Sequence, residues 1–278
     1  YNDEVSYYIP ANLIKDSISI LLPYISSTYD LKKLLVSLHW MEIDIELECF
    51  DTMIAAYLLD YNIKDDIAYL ANSMDYDISF YEKLYGKTNL SLPDENLMIY
   101  SIISKAQFIY ETKKLFEEKL ISENMHILYK EVELPLASVL ANMEMDGVFI
   151  DKDALDLMGE DFKIKIELVE KQIYNYAGIE FNISSPKQLG EVLFERLGLS
   201  HGKKKNRSGF STSAEVLEKI RNDHPIVDKI LEYRMLTKLY TTYIEGLKNY
   251  ILTDGKVHTI YTQTLTRTGR LSSIEPNL

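Results

Sequence analysis

The feature that most limits what this chain can fold into is a series of helix start and stop signals from residue 129 onward. A segment with Val132, Leu136, Val139, Leu140 and Met143 on one face is predicted to end at Gly147, where a left-handed C-terminal cap is expected. After a short apolar link over 148–150, Asp151 is placed to cap a long helix carrying Phe162, Ile166, Val169, Ile173 and Ala177, which Gly178 stops. Ser185-Pro186 opens another, with Pro at the first helical position, and Gly198 ends it. Thr212 with Glu215 three residues later spells a capping box. Pro225 opens a last long helix running to about residue 251, and Asp254-Gly255 turns the chain into a Thr-, Val- and Tyr-rich segment of strand composition. Long helices with short links and little strand predict an α+β, mostly helical fold.

The first half punctuates less sharply. Residues 31–40 and 51–60 read as apolar-periodic helices, joined through 43–50, where apolar and acidic residues alternate as in a short strand. Residues 83–95 read as a loop before a helix over about 96–120. The 278 residues, 46% hydrophobic, suffice for two domains with a real core. No run approaches 18 apolar residues, so no membrane span is expected. The single Cys49 excludes an internal disulfide and argues against a cysteine-built zinc site, so a reduced, cytoplasmic protein is expected. The chain starts at Tyr1 rather than Met and stops in mid-pattern at Leu278, so both ends are expected to be cut.

A net charge of -13 argues at first against a polyanionic partner. The distribution qualifies that. Residues 1–130 carry 11 Lys+Arg against 21 Asp+Glu, whereas residues 201–278 carry 13 against 8. Nucleic-acid contact is therefore expected at the C-terminal end.

Three groups there could make it. Lys203, Lys204, Lys205 and Arg207 form a basic loop leading through Ser211, Thr212 and Ser213 into a helix start, where cations and exposed N–H groups suit phosphate oxygens. Arg234, Lys238 and Thr242 stand at i, i+4 and i+8, which on an α-helix keeps them on one side, next to an apolar side of Tyr233, Leu236, Tyr240, Tyr243 and Leu247. Thr266-Arg267-Thr268-Gly269-Arg270-Leu271-Ser272-Ser273, followed by Pro276-Asn277, joins two Arg and several hydroxyls to a Gly that admits close backbone approach. Spacing alone leaves open a solvated basic loop, an ordinary amphipathic helix and a polar turn after a strand.

The order of these segments adds more. Phe181-Asn-Ile-Ser-Ser-Pro-Lys-Gln-Leu-Gly190, Val192-Leu-Phe-Glu195, Ser211-Thr-Ser213 with Glu215-Val-Leu-Glu218, Ile230-Leu-Glu-Tyr-Arg234 with Lys238-Leu239, and Thr268-Gly-Arg-Leu-Ser-Ser273 follow one another over roughly 150 residues. This succession closely resembles the family A DNA polymerases. The resemblance implies a partial, RNase H-like vestigial 3′–5′ exonuclease domain over 1–125, a helical polymerase thumb over 126–255, and the first palm strands over 256–278. It implies duplex contacts for Lys203, Lys204, Lys205, Arg207, Ser211, Thr212, Ser213, Arg234, Lys238, Thr242, Arg267, Arg270, Ser272 and Asn277, with Arg270 in the minor groove near the primer terminus and Asn277 close to the template path. Lys205-Asn206-Arg207-Ser208 replaces a more uniform Lys-Thr stretch but keeps the positive charge.

Residues 1–125 resemble the exonuclease domain weakly, through Tyr8-Ile-Pro10, Tyr29-Asp30, Phe50-Asp-Thr-Met53 and Tyr57-Leu-Leu59. An active domain of this kind holds two Mg²⁺ with four carboxylates. Asp30 stands as the second-motif remnant, the first pair is expected upstream of Tyr1, and the third motif offers Ser104 or Lys105 instead of a carboxylate. Proofreading is therefore expected to be absent. By the same resemblance the complete enzyme uses Mg²⁺, primer–template DNA and deoxynucleoside triphosphates as a cytoplasmic, nucleoid-associated monomer. This segment would bind no metal and carry no catalytic residue, its palm aspartates and fingers lying beyond Leu278. A non-catalytic DNA-binding remnant, an active exonuclease and a purely structural helical protein are the competing expectations.

Overall fold

A computed structural model describes residues 1–2, 5–88, 90–199, 205–206 and 209–278, with the backbone alone at 205, 206 and 209. The chain runs through α1 (Ala11–Leu21), a 3-10 turn (Leu22–Tyr24), β1 (Ser27–Thr28), α2 (Leu31–His39), β2 (Phe50–Asp51), α3 (Thr52–Leu58), α4 (Ala68–Ser73), α5 (Tyr81–Tyr85), α6 (Glu95–Ser122) and α7 (His126–Leu128). A π-turn (Tyr129–Glu133) leads into α8 (Leu134–Asp146), followed by β3 (Val148–Phe149) and α9 (Lys152–Ala177). Next come α10 (Pro186–Gly190) with a π-turn (Glu191–Arg196), β4 (Lys205–Asn206), β5 (Gly209–Phe210), α11 (Ala214–Lys219) and α12 (Pro225–Leu239). A third π-turn (Tyr240–Glu245) continues into α13 (Gly246–Lys248), and β6 (Lys256–Val257), β7 (Ile260–Thr262) and β8 (Ser272–Ile274) close the order. The fold is α+β and mostly helical, as expected. Among the described residues no helix is long and apolar enough to cross a membrane.

The chain divides into two compact units, one of residues 1–147 with 258–278 and one of residues 148–257. In the first, Asp30, Asp51 and Asp94 each cap a helix by accepting backbone N–H groups, which starts α2, α3 and α6. β1 pairs in parallel with β2, and β7 pairs antiparallel with β8. The core forms around Ile54, Leu70, Phe108 and Phe116, with a second cluster of Leu31, Leu35, Cys49 and Ala141 where α2 packs on α8. In the second unit α9 packs along α12 over Val169, Ile173, Ile226 and Ile230, and Leu189, Leu193 and Leu217 complete that core. Asp151 accepts the Ala154 N–H at 3.0 Å and Gly178 is left-handed at φ 68°, so α9 starts and stops where the sequence signals place it.

Four local expectations are corrected. The buried face of α8 is Ala137, Leu140, Ala141 and Glu144, while Val132, Val139 and Met143 are exposed, because α2 approaches α8 over small side chains and Lys32 neutralises Glu144. Residues 43–49 form no strand; only Phe50–Asp51 pairs, with Ser27–Thr28. The N-cap of α11 is Ser213, not Thr212, and its side chain makes no cap hydrogen bond. Gly147 ends α8 with φ 67° but ψ 174°, not a left-handed cap; glycine is needed because a Cβ there would stand 2.7 Å from the His258 ring.

Candidate nucleic-acid interface

In the first unit, the antiparallel β7–β8 pair brings the chain back on itself, and residues 263–271 form the connection that carries both arginines. Side-chain oxygens fix that connection. Thr266 Oγ1 donates to the Arg270 carbonyl at 2.7 Å, and Thr262 Oγ1 donates to the Ser272 carbonyl at 3.3 Å. Gly269 sits at φ 72°, in the region that favours glycine. Beyond β8, Ser273 Oγ accepts the Leu278 N–H at 2.9 Å and donates to Asn277 Oδ1, and Thr259 Oγ1 donates to the Pro276 carbonyl. Arg267 and Arg270 are exposed and enter no ion pair among the described residues. Ser272 is half-buried in the strand and Asn277 is exposed. The result is a backbone held from within, presenting two free guanidinium groups suited to phosphate, sugar or groove-edge acceptors.

Residues outside the turn hold it as well. Tyr57 on α3 donates its hydroxyl to the Thr266 carbonyl at 2.6 Å, and the Gly269 N–H donates to that same carbonyl at 3.4 Å. Gln263 Nε2 donates to the Glu133 carbonyl at 2.8 Å and to its carboxylate at 2.6 Å. Glu144, buried with Lys32 in an ion pair of 2.5 Å, accepts the Tyr261 N–H at 2.8 Å. None of these supports was legible in the sequence, since each joins residues more than a hundred positions apart and lacks a local signal.

In the second unit, Lys203, Lys204 and Arg207 lie outside the described residues, and Lys205 is placed only as a backbone position in the β4–β5 hairpin. Ser211 is half-buried, Thr212 is buried and Ser213 is exposed. Arg234 donates to the Thr212 carbonyl at 2.5 Å and to its hydroxyl at 3.1 Å. Burial lowers the Arg234 pKa from its usual value. Arg234 thus holds the link between β5 and α11. Lys238 and Thr242 are exposed. The π-turn over Tyr240–Glu245 breaks the 3.6-residue stepping on which the alignment of Arg234, Lys238 and Thr242 was predicated.

The residues expected from the sequence to carry the exonuclease motifs lie around α2, α3 and α6. Asp30 caps α2 through the Lys33 N–H at 2.9 Å. Asp51, almost fully buried, accepts the N–H groups of Leu31 at 2.7 Å and Ile54 at 2.9 Å. Burial first, and the neighbouring Asp30 second, push the Asp51 carboxyl up to about 7, against the pull of those N–H groups. On α6, Ser104 donates to its own helix and Lys105 is half-buried. Among the described residues no three His, Cys, Asp or Glu side chains gather to hold a metal ion, and Asp30 and Asp51 each accept a backbone N–H at a helix start.

Comparison with known proteins defines the class. Residues 152–278 match the model of DNA polymerase family A, and residues 2–112 match that of the ribonuclease H-like domain of DNA polymerase I. The chain belongs to the family A DNA polymerases. It is 44% identical over 254 residues to DNA polymerase I of Geobacillus stearothermophilus, covering 90% of this chain and 29% of that protein. It is 40% identical over 287 residues to DNA polymerase I of Bacillus subtilis, covering all of this chain and 32% of that protein. The chain therefore spans about three tenths of the length of these relatives. Among solved structures it resembles the POL domain of Pol1 from M. smegmatis in complex with DNA primer-template and dNTP, with a TM-score of 0.74 and 26% identity, over 95% of this chain and 45% of that one.

Proposed function

We propose that the chain is the part of a DNA-directed DNA polymerase that grips the primer–template duplex without reading its sequence. The observation that carries this reading is the braced turn bearing Arg267 and Arg270, exposed and in no ion pair among the described residues, within the segment that matches the polymerase family. In this reading residues 1–125 are a vestigial exonuclease domain, 126–255 the thumb and 256–278 the first part of the palm. Ser213, Lys238 and Thr242 offer exposed donors to phosphates, Lys203, Lys204, Lys205 and Arg207 supply the charge of the thumb tip, and Arg234 with Thr212 sets the backbone between them. Ser211 on the second unit, and Ser272 and Asn277 on the first, are read as further polar contacts. The parent enzyme acts as a cytoplasmic monomer on deoxynucleoside triphosphates. Mg²⁺ supplies charge neutralisation at the transferring phosphoryl group when bound to the palm carboxylates of that enzyme, and this segment by itself extends no primer.

The test is fluorescence-anisotropy binding of a primer–template duplex to this chain. Arg270→Ala is expected to weaken binding about tenfold, as loss of a charge-assisted hydrogen bond does, with Arg267→Ala acting in the same direction. Equal affinity of wild type and both variants would overturn the assignment.

A further inference from the structure

The turn that carries Arg267 and Arg270 is not held by its own segment alone. The Tyr57 hydroxyl reaches into it, donating at 2.6 Å to the Thr266 carbonyl, which also accepts the Gly269 N–H at 3.4 Å. Those two backbone groups flank Arg267, and Gly269 immediately precedes Arg270. The phenol therefore holds the carbonyl on which the turn bearing the two arginines closes. Tyr57 sits on α3, whose neighbours Ile54, Ala55 and Ala56 are buried in the core of the first unit. The tether is thus anchored to a rigid element and not to another loop. Glu133 holds Gln263, just before the turn, through both its carbonyl and its carboxylate, and Glu144 with Lys32 holds Tyr261.

We propose that Tyr57 is a positioning residue for the duplex-contacting turn. The ribonuclease H-like part of the chain, which lacks a metal-binding set among its described residues, then still serves polymerase function by fixing where Arg267 and Arg270 point. This proposal rests on the reading of that turn as a duplex contact. Removing the hydroxyl releases the Thr266 carbonyl from α3, and the arginines then pay the entropy of being ordered when DNA binds.

A double-mutant cycle on this chain separates the possibilities. Tyr57→Phe keeps the ring and loses only the oxygen. It is expected to weaken primer–template binding about threefold to tenfold, the range for one hydrogen bond, and to lower the slope of log affinity against log salt as an arginine–phosphate contact loosens. Arg270→Ala is expected to cost less in the Tyr57→Phe background than in the wild type. A role confined to stability would lower the melting temperature and leave the salt slope and the Arg270→Ala effect unchanged, which overturns the proposal. So does a Tyr57→Phe variant that binds like wild type while Arg270→Ala binds weakly. If both arginine variants bind like wild type, the duplex-contact reading itself falls, and the positioning role with it. Gln263→Ala supplies a second variant just before the turn, expected to show the same reduced Arg270→Ala effect.

Discussion

Asp51 shows how much one buried carboxyl can organise. It receives N–H groups from Leu31 and Ile54, its own N–H donates to the Tyr129 hydroxyl at 2.7 Å, and it thereby joins α2, α3 and the π-turn before α8. Its carboxyl is pushed up to about 7, burial being the largest cause, while an aspartate in an unfolded chain releases its proton near 3.9. Between those values the folded protein binds more protons than the unfolded one, so stability falls as pH rises. The contribution is complete below about pH 4 and is lost as pH climbs through 7. Asp51→Asn removes this titration and nearly preserves shape. The melting temperature of wild type minus that of Asp51→Asn is therefore expected to shrink steadily from pH 4 to pH 7.5. A difference that stays constant across that window, followed by scanning calorimetry, contradicts the assignment of the raised pKa to this residue.

At the scale of elements, the packing of α9 on the π-turn is set by an absent side chain. A Cβ at Gly159 would stand 3.2 Å from Ile244 Cγ2 and 3.8 Å from the Tyr240 ring. One methyl is offset by the helix preference of alanine over glycine, worth about 1 kcal/mol, so Gly159→Ala is expected to be close to neutral. Gly159→Val has no such room and is expected to cost about 1–3 kcal/mol by overpacking, read as a lowered melting temperature. Equal stability of the two variants would show that the π-turn yields. The same contrast between local and distant causes explains what could be read in the sequence. Helix ends at Asp151 and Gly178 are decided within one turn and were legible. The buried face of α8 was not, because apolar periodicity marked Val139 and Met143, whereas an ion pair to Lys32, 112 residues away, buries Glu144 instead. The Thr212 box failed for a like reason, its hydroxyl being taken by Arg234 from α12. Of the candidate site, the arginines of the turn could be named from type and order, but Tyr57, 209 residues from its partner, could not.

For the molecule as a whole, a net charge of -13 has to be reconciled with holding a polyanion. The second unit contains equal numbers of acidic and basic residues, so the whole excess of negative charge belongs to the first unit, which also carries Arg267 and Arg270. At physiological ionic strength charges more than about 8 Å apart are largely screened from each other. Contact cations then act locally, and acidic residues farther than that from a bound phosphate contribute little to affinity. The consequence is a steep salt dependence in a protein that is acidic overall. If Lys203, Lys204, Lys205, Arg207, Lys238, Arg267 and Arg270 share the phosphate contacts, log affinity against log salt should fall with a slope of about -4 to -6. Replacing the four basic loop residues together by Gln should flatten that slope by roughly 3 to 4, and neutralising Lys64 on the first unit should leave it unchanged. Anisotropy titrations of a primer–template duplex between low and physiological salt measure both. A slope near -1 in the unaltered chain, or one that the four Gln substitutions do not change, would mean that the basic loop is solvated surface and that the duplex is gripped elsewhere.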